Sequence, residues 1–529
     1  MNSDDAPHPM PFFRGSVQDA SYREQPVERY QGNPLIEALP DILSAKNAAK
    51  LMASYPRVNP DSYNLPPEIR THLLMDATHF FEPLPVHIDL EQRISRLIRD
   101  GYVGRDPMAR DHWHDIDQRV EAILAAGGIP LRSSVVNGMC ILGIPGVGKS
   151  SAIERVLSTY PQVICHHTYK GKPFNSIQVP WLKLTCPFDG SIKGLCLEFF
   201  CELDGLLQTN YDRDYAGRGR RTVDELIPAM ARVVSIHCLG LLVIDEIQHL
   251  NQAKSGGAER MLSFFLQLMN TLGLPVILIG TYAAMHFLSR ELRQIRRSCG
   301  QGDLVWDRMA NDEFWRMFAE SLLHYQYTQV QVPLDQELND VLYYESAGII
   351  DFAVKLFLLA QVRAIFTGIE KITPEIIRSV ARDSLRLAQP ALHAIRTGDM
   401  RAVATMTDLH PIDFQSAVQQ IRKAALLQQL SPGSRVVSDI NAAAAAPPAT
   451  SSSAQPVATS EPVPAAPPPQ ARPIVKSRQS KGKGAASKCL LVRLVEAGLT
   501  DGKSAHDALA EAGLIKPLFA FQSSPGPSR

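Results

Sequence analysis

Gly143-Ile144-Pro145-Gly146-Val147-Gly148-Lys149-Ser150 is a complete G-x-x-x-x-G-K-S phosphate loop. It follows the apolar run Met139-Cys140-Ile141-Leu142 and opens onto Ser151 through Leu157, giving the order strand, loop, helix that such a loop needs. Its glycines let the backbone curl until N–H groups point at phosphates. Lys149 supplies a point charge at the β and γ oxygens, the Ser150 hydroxyl can ligate Mg²⁺, and the helix N-terminus adds partial positive charge. A ligand-free Gly-rich turn is the plainer alternative, but four fixed residues within an eight-residue pattern in this context point to a nucleoside triphosphate. The residues placed against it are Gly143, Pro145, Gly146, Val147, Gly148, Lys149, Ser150 and Ser151.

Three further segments complete the chemistry. The apolar run Leu239 to Ile244 ends in Asp245-Glu246, about 95 residues after the loop. Asp245 there holds Mg²⁺ through water, with Ser150, while Glu246 orients and deprotonates an attacking water. An acidic strand end alone is common in α/β proteins; following a phosphate loop, it becomes a Walker B segment. The next buried run, Pro275 to Gly280, ends at Thr281, whose hydroxyl either faces the γ-phosphate or is an ordinary strand cap. Four arginines, Arg290, Arg293, Arg296 and Arg297, then fall within eight residues. A guanidinium inserted at the γ-phosphate of a neighbouring subunit stabilises transition-state charge. Arg296 and Arg297 are the candidates, with Arg293 third; a solvated helix face or a DNA-backbone contact is the alternative for each.

These residues need a scaffold, and the surrounding pattern supplies one: an α/β core over 126–331, with a parallel sheet flanked by helices. Its strands are both-face apolar, as buried parallel strands are. A strand-like segment from Ile177 to Leu184, a helix begun by Asp189-Gly190-Ser191, a capping box at Thr222 to Glu225 and a helix from Ala258 to Leu272 fill the connections. Residues 332–431 read as a helical lid, with Gly348 at a helix junction and Thr373-Pro374 as N-cap and N1. Residues 36–125 read as a helical N-terminal region and 1–35 as an extended arm anchored by aromatics. The stretch 432–488 is an Ala/Pro-rich linker with a basic end, and 489–529 a short helical, partner-binding tail.

Composition narrows the partners. Lys+Arg and Asp+Glu are both 54, so a nucleic-acid surface must come from local clustering. The 8 cysteines are scattered without C-x-x-C, which reads as buried free thiols of a reducing cytosol. No apolar run reaches the ~20 residues of a membrane span.

Taken together, Gly143 to Ser150, Ile244 to Leu250 and Ile279 to Tyr282 resemble the TnsC and TniB ATPases of bacterial transposons; Arg293 to Arg308 and the turn from Gly101 to Pro107 look like the TnsC branch. The resemblance covers roughly residues 35–430. It implies an AAA+ P-loop NTPase with a helical lid, located in the bacterial cytoplasm, that binds ATP and Mg²⁺. Such a protein assembles as a homo-oligomeric ring or helical filament around double-stranded DNA. It links a target-selection protein of the TniQ or TnsD kind to transposase subunits, and hydrolysis disassembles it. Residue by residue, the resemblance makes Thr281 the sensor 1 position and Tyr102, Arg105 and Pro107 neighbours of the adenine. Lys183 and Lys193 become candidate DNA contacts. The segment around Gly348 to Ala353 has no sensor 2 arginine, and Lys355 is the nearest cation. A helicase loader or origin-type AAA+ protein would share every one of these residues, and a nucleotide-gated DNA scaffold without hydrolysis is a third reading.

Overall fold

The computed structural model describes residues 16–109, 114, 118, 138–217, 221–252, 257–285, 302–399, 402–403 and 414–430. All of them fall in the first of two compact units, Met1–Ala446. Arg293, Arg296, Arg297 and the tail from Cys489 onward lie outside the described residues.

Strand β1 (Val17–Asp19) opens the described chain, and helix α1 (Pro85–Val103) is the longest described element before the phosphate loop. Strand β2 (Met139–Gly143) carries the loop, and α2 (Lys149–Leu157) leaves it. Three strands follow: β3 (Val163–Tyr169), β4 (Lys172–Gln178) and β5 (Leu182–Thr185). Then come α3 (Ile192–Leu207), α4 (Val223–Ile236), β6 (Leu242–Asp245), α5 (Gly257–Leu272), β7 (Val276–Gly280) and β8 (Leu304–Trp306). Ser191 caps α3 by accepting from the Gly194 N–H, and Thr222 with Glu225 forms the expected capping box on α4.

The central sheet runs in the order β5-β6-β7-β2-β8, all parallel. Alternate residues of each strand enter opposite cores, which is why the strands read as unbroken apolar runs. Met139, Ile141, Val243, Ile277 and Ile279 join one buried cluster with Leu90, Ile94 and Ile98 of α1. Cys140, Leu142, Leu242, Ile244 and Leu278 join the other, with Phe199 of α3 and Phe265 of α5. Because β7 stands between β2 and β6, the strands bearing the loop and Asp245 are not neighbours. The tip of β7 therefore fills the space between them.

The expected strand from Ile177 to Leu184 divides in two. Pro180, with no N–H to donate, separates β4 from β5, and the Val179 N–H turns away to the His237 carbonyl at 2.9 Å. The two strands then enter different sheets. β4 pairs antiparallel with β3 in a three-stranded sheet whose far edge is β1, added parallel from the N-terminal arm. The arm is thus partly built into the fold. The Tyr22 hydroxyl bonds His166 Nδ1 at 2.8 Å, and Tyr30 donates to Asp100 at 2.8 Å. Strand β8, not expected from the sequence, pairs with β2. Gly143 permits this, since a Cβ there would stand 2.0 Å from the Trp306 carbonyl oxygen.

Among the described residues the elements after β8 are helical: α6 (Glu313–Leu323), α7 (Gln336–Ser346), α8 (Ile350–Phe366) and α9 (Pro374–Ser384), followed by Gln389–Thr397 and Phe414–Leu430. Gly348, at φ 72°, joins α7 to α8, and Thr373 caps α9 ahead of Pro374. The start of α8 reaches the phosphate loop, the Asp351 N–H donating to the Gly146 carbonyl at 3.2 Å.

Candidate functional site

The phosphate loop ends β2 and turns into α2 through two glycines with positive φ, 78° at Gly146 and 96° at Gly148. Lys149 is buried, 8% exposed, and its Nζ donates to the carbonyls of Gly143 (3.1 Å) and Ile144 (2.8 Å). An ammonium held over the loop's mouth, beside a helix N-terminus, suits a polyphosphate. Pro145, Gly146, Gly148, Lys149, Ser150 and Ser151 line a cleft of about 210 Å³. Gly143 and Val147 do not. The first packs on β8, and the second is buried in the core.

Asp245, Glu246 and Thr281 line the same cleft from the carboxyl ends of β6 and β7. Asp245 is 5% exposed; its Oδ1 accepts the Glu246 N–H at 2.9 Å. Glu246 sits at φ 58°, a conformation that costs a non-glycine residue about 1 kcal/mol and that gathers at functional sites. Thr281 is 5% exposed, and its Oγ1 has no hydrogen-bond partner. A buried hydroxyl without a partner costs about 1–3 kcal/mol, so its place in the cleft suits a ligand oxygen. Ser150 and Asp245 offer the hard oxygen donors that Mg²⁺ prefers; bound there, Mg²⁺ would neutralise phosphate charge.

Lys183 is not free to meet DNA. It projects from β5 to Glu154 at 2.5 Å and Asp245 at 3.2 Å. Burial opposes its charge, but the two carboxylates outweigh burial and leave its pKa raised. Lys193 stands in the first turn of α3, outside the cleft.

An apolar cavity of about 410 Å³ adjoins the cleft and shares Gly146, Gly148, Ser151 and Asp351 with it. Phe80, Phe81 and His87 wall it from the N-terminal side, and Ile350, Val354 and Leu358 from α8. A flat base extending past Ser151 fits between them. Burial pushes the His87 pKa down to about 4, and its Nδ1 accepts the Leu84 N–H at 2.9 Å, so the neutral ring carries its proton on Nε2. Lys355 also lines this cavity, paired with Asp351 at 2.7 Å.

Tyr102 and Arg105, expected beside the adenine, lie at the opposite edge of the sheet. The Tyr102 hydroxyl donates to the Cys238 carbonyl and an Arg105 guanidinium N–H to the Leu239 carbonyl, each at 2.7 Å. Both acceptors precede β6, whose far end is Asp245. These residues fasten α1 to the amino edge of the sheet. The signal for the base-sized cavity was instead the aromatic pair Phe80-Phe81 ahead of Pro83-Leu84-Pro85, which the periodicity of the following helix obscured. Gln248 and Asp351 of the cleft lie within Ile244 to Leu250 and Gly348 to Ala353, where nothing in the sequence sets them apart from their neighbours.

The strand order, with an acidic tip two strands from the phosphate loop and a polar tip between, defines the AAA+ P-loop NTPase fold. Residues 137–288 match the family model of an AAA domain. No curated protein matches the chain. Solved structures similar to it include the ORC1 protein of Aeropyrum pernix in complex with DNA, at 14% identity and TM-score 0.33, covering 63% of this chain and 87% of that one. The ORC2 protein of the same organism, in ADPNP-ADP complexes, is 10% identical with TM-score 0.33 over 63% and 98%. RuvB of Thermotoga maritima is 14% identical with TM-score 0.29 over 57% and 88%.

Proposed function

We propose that the chain is an ATP-hydrolysing switch that assembles as a homo-oligomer on double-stranded DNA and connects a target-selection protein to a transposase. The observation that carries the nucleotide half is the convergence of Lys149, Ser150, Asp245, Glu246 and Thr281 on one cleft, beside a base-sized cavity. Loop amides and Lys149 hold the phosphates, and Ser150 and Asp245 hold Mg²⁺. Glu246 takes the proton of the attacking water, and the Thr281 hydroxyl donates to a γ-phosphate oxygen. Arg296 or Arg297 of a neighbouring subunit supplies the remaining positive charge. The DNA and transposition half rests on the motif resemblance and on the arginines from Arg290 to Arg297. ATP at Lys149 works as assembly glue with a timer.

The test is Glu246→Gln compared with wild type. The variant should keep nucleotide affinity, lose about 10²–10³ in kcat, and leave ring or filament assemblies on DNA that persist in electron micrographs. DNA affinity should fall steeply with salt and show little sequence preference. Absence of turnover in wild type with duplex DNA present, together with identical behaviour of the variant, sinks the hydrolysis reading. Salt-insensitive binding, or none with ATP, removes DNA, and co-purification with a helicase rather than a transposase reassigns the partner.

A further inference from the structure

Gln248 follows β6 in the turn Ile247–Gln252, is buried at 8% exposure, and lines the nucleotide cleft. Its amide is engaged at both ends. Nε2 donates to Glu246 Oε2, and Oε1 accepts the Thr281 N–H at 3.2 Å. The amide has one possible orientation, because a carboxylate only accepts and a peptide N–H only donates. One side chain therefore spans the tips of β6 and β7.

Both partners are placed for chemistry rather than for stability. Glu246 holds a left-handed backbone, and its own N–H is tied to Asp245. Thr281 has its N–H committed to Gln248 and its Oγ1 unpartnered. The neighbouring residue keeps the path clear: a Cβ at Gly280 would lie 3.0 Å from Gln248 Oε1 and 2.8 Å from Ile247 Cγ1. A glutamine recruited only to satisfy the Thr281 N–H would need its oxygen alone. Here the nitrogen end is used as well, on the carboxylate that faces the cleft.

We infer that Gln248 is a positioning residue that holds the Glu246 carboxylate in register with Thr281, so that γ-phosphate contact and the aim of the water-activating carboxylate are set together. The inference rests on the cleft being an ATP-hydrolysing site. Gln248 acts through its two neighbours. A displacement of about 1 Å in a catalytic group costs on the order of a hundredfold in rate.

Two variants separate positioning from packing. Gln248→Glu keeps the acceptor for Thr281 but sets a carboxylate against Glu246, and Gln248→Leu removes both bonds at similar volume. Each should lower kcat by about ten- to a hundredfold, by more than it raises the KM for ATP, and should move the thermal unfolding midpoint by only a few degrees. Wild-type turnover in Gln248→Glu, or loss of KM and midpoint together in Gln248→Leu, overturns the inference in favour of a packing role. Lys149→Ala provides the null for turnover. If wild type itself does not exceed that null, the hydrolysis reading fails, and Gln248 is then judged by binding alone. The affinity ratio of a non-hydrolysable ATP analogue to ADP should fall at least about fivefold in Gln248→Leu, with Gln248→Ala standing in where leucine does not fold. An unchanged ratio overturns the inference on that arm.

Discussion

The two edges of the central sheet are built from the same strands to opposite ends. At the amino edge, Tyr102 and Arg105 donate to the carbonyls of Cys238 and Leu239, and Asn33 donates to the Tyr102 carbonyl at 2.9 Å. At the carboxyl edge, Thr281 Oγ1 has no partner, Glu246 is strained, and Lys149 rests on main-chain carbonyls. One edge commits these side-chain donors to carbonyls of the fold, although His237 Nδ1 nearby has no hydrogen-bond partner. The other leaves its polar groups for a ligand, as crevices outside the carboxyl ends of parallel strands do.

Breaking the carboxyl edge at its centre should have the largest effect. Lys149→Ala is expected to lower ATP affinity by about a hundredfold or more and to abolish assembly on DNA, while the unfolding midpoint without nucleotide stays close to wild type. Isothermal titration and thermal melts read the two quantities separately. A variant that melts early but still binds would erase the distinction between the edges.

The next effect is on stability and depends on pH. His87 is held neutral by burial, with its pKa lowered to about 4 from an ordinary 6.5. Between these values the unfolded chain binds the extra proton, so stability present above pH 6.5 is lost as pH falls toward 4. The loss reaches about 3 kcal/mol from this group. Denaturant midpoints measured across that window should drop steeply in wild type and less in His87→Phe, even though the variant also gives up the bond from Leu84.

Removing one hydroxyl at each edge sharpens the comparison. Thr281→Val deletes a buried oxygen with no partner, so kcat should fall about tenfold or more while stability is unchanged or rises by up to about 1 kcal/mol. Tyr102→Phe deletes an oxygen that is bonded, leaving the Cys238 carbonyl short of a donor. It should cost about 1–2 kcal/mol of stability and leave kcat alone. Parallel denaturation and turnover measurements on the two variants check both signs, and equal losses of stability would remove the contrast.

How much of this was legible beforehand follows from what each signal depends on. The phosphate loop, Asp245-Glu246 and Thr281 were readable because short-range rules fix them: a glycine turn, an apolar run long enough for a buried strand, and a polar residue at its end. Helix starts at Ser191, Thr222 and Thr373 were readable for the same reason, since a cap is a local hydrogen bond. Strands β1 and β8 were not, because three residues gain their pairing only from a partner far along the chain. The split at Pro180 was written in the residue itself and was overridden by the apolar pattern on either side.

Sequence by itself determined that this protein has a phosphate loop, a Walker B pair and the alternating helices and strands that present them. Tertiary structure decided which edge each remaining residue serves. Tyr102 and Arg105, close in sequence to a turn that resembled a nucleotide contact, are drawn to the amino edge by carbonyls that only the folded sheet presents. Lys183, a plausible phosphate contact as a bare lysine, is captured by Glu154 and Asp245. Gln248 reaches Thr281 in addition to its near neighbour Glu246 because β7 lies beside β6. Local rules fix backbone form within a few residues, whereas the partner of a polar side chain is set by strands that come from anywhere in the chain.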